Sequence, residues 1–200
     1  MTLPATTLRE LLGLSLAPSA LSASALILID CQNTYREGVM QLEGVEAALE
    51  DCRKLLDRAR AAQIPIIHVQ HDAGADSPYD TNAIIGAISD IVAPHEGEPI
   101  ITKHYPNSFI GTELDQLLKD LGTKKLILAG FMTHMCINST AHGGFNLGYE
   151  CTVVASATAT RGLVAANGNA ISAQVVQDGA IASTRDLYAA IANTVEDIPN

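Results

Sequence analysis

Two hundred residues, 48% apolar and 17% charged, suffice for one domain with a substantial core. A net charge of −10 without any Lys/Arg cluster argues against nucleic acid and membrane as partners, and 4% aromatics with no Trp offers no base-stacking platform. The four cysteines, Cys31, Cys52, Cys136 and Cys151, form no Cys-x-x-Cys pair and no zinc spacing with histidine, which reads as reduced thiols in a cytoplasmic protein.

Residues 1–24 read as an N-terminal helix and connector. Thr7 to Leu16 places Leu8, Leu11, Leu12 and Leu16 on one helical side, with Gly13 as a weak point. Residues 11–29 are uncharged, yet no basic segment precedes them and Gly13 and Pro18 interrupt them, so neither a signal peptide nor a membrane span is expected. Ala25 to Ile29 is a short apolar run ending in Asp30, as in a strand buried on both faces.

Gly44 to Ala62 is an amphipathic helix, with Val45, Leu49, Cys52, Leu55, Leu56 and Ala59 at helical spacing. Ile64 to Val69 follows as a strand, and residues 71–98 as a surface excursion rich in turn formers. Pro99 to Thr102 is a short strand that delivers Lys103. Thr112 to Leu121 is a helix with Thr112 as its cap, and Lys125 to Ala129 another buried strand before a turn at Gly130. A helix over Thr133 to Leu147 is closed by Gly148. Thr152 to Ala155 is a strand; Ala170 to Ala182 is a helix with Ile171, Val175, Val176 and Ala180 inward; Tyr188 to Ile191 is a last strand.

Strands alternating with helices imply an α/β protein: a single three-layer α/β/α Rossmann-like domain over residues 25–194, with a mostly parallel sheet of about six strands. Ligand sites in such sheets lie outside the carboxyl ends of the strands. Asp30, Lys103 and Cys136 each follow such an end. A thiol attacks carbonyl carbon as its thiolate, and a helix N-terminus and a nearby ammonium both favour that form. A carboxylate beside it can take and return the proton. Taken singly, each residue has a plainer role, as helix cap, solvated lysine or small buried hydrophobe. No Gly-x-Gly-x-x-Gly turn or P-loop follows the first strand, which argues against a nucleotide-binding oxidoreductase.

Three local sequences occur in one order: Ala25–Asp30-Cys-Gln32, Lys103 with Asn107-Ser-Phe-Ile-Gly-Thr-Glu-Leu-Asp115, and Gly130-Phe-Met-Thr-His-Met-Cys136. Together they resemble the isochorismatase-like cysteine hydrolases, which include nicotinamidases and N-carbamoylsarcosine amidases, over about Ala25 to Ala192. The resemblance implies Cys136 as nucleophile, Asp30 as general base and Lys103 as the family's lysine. It also implies a cis peptide at Phe131–Met132 and an oxyanion hole from the backbone N–H groups of Met132 and Cys136. The implied reaction is hydrolysis of a C–N bond in a small amide or carbamoyl compound through a thioester, without a cofactor. Isochorismatases proper lack the cysteine, so Cys136 argues against that activity.

Gln32, Tyr35, Asn107, Phe109, Phe131 and His134 flank the three motifs and are candidates for substrate contact, with packing or capping as the alternative for each. Nicotinamidases carry a metal set; here His68-Val-Gln-His71 puts its two histidines on opposite faces of a strand, so no metal site is expected. A catalytically retired binding or scaffold protein on the same fold and a metal-dependent nicotinamidase are the competing readings. The family commonly forms dimers or tetramers, so a homodimer or homotetramer is expected.

Overall fold

The computed structural model describes residues 6–200. Residues 1–5, on which the reading of the chain's start partly falls, lie outside the described residues.

Six strands, β1 (Ala25–Ile29), β2 (Ile66–His71), β3 (Ile100–Lys103), β4 (Lys125–Phe131), β5 (Glu150–Ala159) and β8 (Ala189–Ala192), form one sheet. A two-stranded hairpin of β6 (Leu163–Val164) and β7 (Ala170–Ile171) stands apart. The sheet order is β3-β2-β1-β4-β5-β8, and every neighbouring pair is parallel. The winding direction changes between β1 and β4, where such sheets open a crevice at their carboxyl edge.

The apolar run of β1 is buried throughout because it serves two cores. Leu26 and Leu28 pack beneath α2 (Val45–Ala61), whose Leu49, Cys52, Leu55 and Leu56 are fully buried. Ala25, Ile27 and Ile29 face the opposite layer, built from α3 (Leu114–Asp120), α4 (Asn138–Asn146) and α5 (Ala173–Asp186). This two-sided burial is why no polar alternation marks the strand.

Several boundaries differ from the sequence expectation. The N-terminal helix α1 covers only Leu8–Leu11, capped by Thr7 and Glu10, and Gly13 follows at φ +67. Its leucines are exposed; the buried residue is Arg9, whose guanidinium donates to the carbonyls of Ser15 and Leu187. One helical turn presents too little apolar stripe to dock, so a hydrogen-bonded anchor replaces it. Thr112 stands one residue before the cap position: its Oγ1 donates to Ser108 O and accepts from Leu114 N at 3.4 Å, and α3 begins after Glu113. α5 starts after Ser172, whose side chain accepts from Val175 N; Ile171 therefore belongs to the hairpin and Val175 is 61% exposed. β4 runs through Gly130 to Phe131 because its ladder with β5 continues there, Gly130 opposite Thr158 and Phe131 opposite Ala159.

No helix among the described residues is long and apolar enough to cross a membrane.

Candidate active site

Asp30, Lys103 and Cys136 meet at the carboxyl edge on either side of the β1/β4 crevice. β1 ends at Ile29, and Asp30 turns out of the strand at φ +53 while its N–H still bonds Val69 O at 2.8 Å. Lys103 is the last residue of β3. Cys136 lies in a wide turn after β4, where Ile137 N–H reaches back five residues to Met132 O at 3.2 Å before α4 begins. Such widened turns recur at functional sites. The Phe131–Met132 peptide that leads into it is cis.

Lys103 Nζ lies 2.7 Å from Asp30 Oδ2 and 3.3 Å from Cys136 Sγ. Asp30 and Lys103 are 0% exposed and Cys136 5%. Burial raises the Asp30 carboxyl, and the Lys103 ammonium opposes that rise without cancelling it. Burial, then the Asp30 charge, pushes the Cys136 thiol up, again against Lys103. Lys103 draws the thiol down as expected, but burial and the Asp30 charge outweigh it. A thiol held up in this way has to give up its proton as the sulfur attacks, and Asp30 is the carboxylate beside it. Asp30 Oδ1 and Thr133 Oγ1 are buried near this centre without a hydrogen-bond partner.

The six candidates for substrate contact divide by location. Gln32 is fully buried and spends its amide on backbone: Nε2 donates to His71 O and Gly86 O, and Oε1 accepts from His71 N. Tyr35 and Phe131 are buried and meet edge to face, with ring centres 5.7 Å apart. Asn107 accepts from Phe109 N, and its amide lies against Gly143 of α4. Phe109 stacks on Tyr149 at 5.6 Å. Each of these five thus has a hydrogen-bond or packing partner within the fold. His134 is half-exposed, with Nδ1 2.5 Å from Thr160 Oγ1; burial and Arg161 lower its pKa.

His68 and His71 diverge as strand alternation requires. His68 Nε2 pairs with Glu98 at 2.9 Å, whereas His71 Nδ1 lies 3.3 Å from Lys103 Nζ. Among the described residues no group of three or more His, Cys, Asp or Glu side chains converges in a metal-like cluster. Sequence spacing offers His71 only as a metal ligand and carries no signal for Tyr79, which stands edge-on to both His71 and Tyr35. The missed signal was parity: His71 shares a strand face with Ile67 and Val69, which pack in the same core layer as Cys136.

The isochorismatase domain model matches residues 24–186. The secreted isochorismatase effector Isc1 of Verticillium dahliae is 34% identical over 90% of this chain and 97% of that protein. The ureidoacrylate amidohydrolase RutB of Stutzerimonas stutzeri is 30% identical over 70% of this chain and 72% of its own length. A crystal structure of an isochorismatase from Pseudomonas putida superposes with a TM-score of 0.93 at 35% identity, covering 98% of this chain and 100% of that one.

Proposed function

The chain belongs to the isochorismatase family of hydrolases, and from that membership we propose that it cleaves a C–N bond in a small amide or carbamoyl compound, using Cys136 as nucleophile. The observation that carries this reading is the Lys103 ammonium, 2.7 Å from a buried carboxylate and 3.3 Å from a buried sulfur. A lysine, an aspartate and a thiol in water-excluded contact are costly to a fold that needs only stability. A named amidohydrolase among the relatives supports the C–N bond as target.

In the proposed reaction Asp30 accepts the Cys136 proton as sulfur attacks the carbonyl carbon. The backbone N–H groups of Met132 and Cys136 receive the oxyanion. Asp30 returns the proton to the leaving nitrogen, the C–N bond breaks, and a thioester remains. Asp30 then takes a proton from water, whose oxygen displaces sulfur and releases the acid, and Asp30 passes that proton to sulfur, restoring the thiol and its own carboxylate. Lys103 favours the ionised form of Asp30 and balances negative charge at the site. The reaction needs no cofactor. We place the protein in the cytoplasm, on the support of four buried cysteines that are all free.

The test is ammonia release across a panel of small amides, ureides and carbamoyl compounds, with Cys136→Ala alongside. We expect turnover of at least one member and none by the variant, whose thermal melt stays close to that of the unaltered protein. Full turnover by Cys136→Ala would refute the nucleophile. If Cys136 alkylates no faster than the buried Cys52 and Cys151, the scaffold reading gains instead.

A further inference from the structure

An ammonium carries three N–H donors and no acceptor. Around Lys103 Nζ stand three acceptors from three strands or turns: Asp30 Oδ2 at 2.7 Å, Cys136 Sγ at 3.3 Å and His71 Nδ1 at 3.3 Å. The mechanism above uses two of them. The third has an elaborate support. β2 and β3 pair so that His71 lies in register opposite Lys103. The Gln32 side chain grips both backbone groups of His71, with Oε1 accepting its N–H at 2.9 Å and Nε2 donating to its carbonyl at 2.9 Å. Gln32 in turn sits two residues beyond Asp30. Tyr79 packs edge-on against the imidazole, with ring centres 5.1 Å apart.

We propose that His71 is a positioning residue of this site: a neutral imidazole that accepts the third Lys103 proton at Nδ1 and so locks the ammonium between Asp30 and Cys136. The proposal rests on the reading of Cys136, Asp30 and Lys103 given above. Because Lys103 only donates, Nδ1 must be the unprotonated nitrogen, which leaves the proton on Nε2. The surroundings favour the neutral ring. Burial, then the charges of Lys103 and His104, lower its pKa to about 4, against a smaller opposing effect of Asp72. Tyr79 stands edge-on to the ring, and burial raises that phenol. Without His71 one buried N–H loses its partner, and the ammonium is free to rotate away from sulfur.

The probe is iodoacetamide, with alkylation of Cys136 followed by mass spectrometry of the full-length protein across pH. His71→Phe keeps an aromatic ring for Tyr79 and removes the acceptor. His71→Asn supplies an amide oxygen near the place of Nδ1. We expect the midpoint of the Cys136 pH–rate profile to rise by about one pH unit in His71→Phe. In His71→Asn it should stay within a few tenths of the unaltered protein. A general packing role would move neither midpoint or both alike; either result overturns the proposal. If thermal melts show that His71→Phe does not fold, His71→Ala takes its place with the same expectation. Failure of the underlying reading looks different: Cys136 of the unaltered protein would then alkylate no faster than Cys52 and Cys151.

Discussion

Asp30 illustrates how one side chain acquires its chemistry from its surroundings. A free carboxyl titrates near ~4 and is a weak base at neutral pH. At 0% exposure its ionised form is disfavoured, and Lys103 restores only part of that loss. The base must be ionised to accept the thiol proton, so a raised pKa carries the loss of activity on acidification to higher pH. We therefore expect the acid limb of kcat/KM to lie above the ordinary carboxylate range. Asp30→Asn should abolish turnover at every pH. An acid limb at or below ~4 would count against Asp30 as base. The three core cysteines show the contrast. Cys31 and Cys52 sit in the α2 layer and Cys151 in the opposite layer, donating to carbonyls or packed in hydrocarbon, with no carboxylate–ammonium pair against them.

At the level of elements, two joints hold the site's strands in place. The first joins α2, β2 and the segment before β3. Glu98 accepts from Arg60 Nε at 2.8 Å and from His95 N, and faces His68 Nε2 at 2.9 Å. The Arg60 bonds lead in holding its carboxyl down at about 2 against the cost of burial. A depressed folded-state pKa stabilises above the unfolded value of ~4.3 and loses that contribution as pH falls through the folded value. Glu98→Gln should then cost about 2–3 kcal/mol at neutral pH, with the gap to the unaltered protein closing between pH ~4.5 and ~2 in urea titrations. A gap independent of pH would show that the charge is not what matters. The second joint is Gly130, where β4 passes the end of β1. At φ +114, a Cβ there would lie 2.0 Å from Ile29 O. Gly130→Ala should destabilise by about 3 kcal/mol or more, or prevent folding, because the atoms a Cβ would strike are Ile29 backbone, held in the sheet. A melt within a degree or two of the unaltered protein would contradict this.

For the whole molecule, the open question is assembly. Leu11, Leu12, Val164 and Val175 are 61–75% exposed, so apolar side chains lie outside both cores. We propose a homodimer or homotetramer, to be measured by sedimentation velocity; a single monomeric species at micromolar concentration would refute it. Much of the architecture was legible in the chain because burial on two faces writes a continuous apolar run and a helix on one face writes a stripe. Ala25–Ile29 and Val45–Ala61 were readable on those grounds. Boundaries set by single hydrogen bonds were not, as Arg9, Thr112 and Ser172 show, because one bond leaves no periodicity. The sequence by itself determined the layered fold and which residues have the chemistry to act at its rim. Only the tertiary structure decided which way each pKa moves and that His71 joins the centre. Both depend on distance and exclusion of water, and these arise when β1, β2, β3 and the turn after β4 come together from distant parts of the chain.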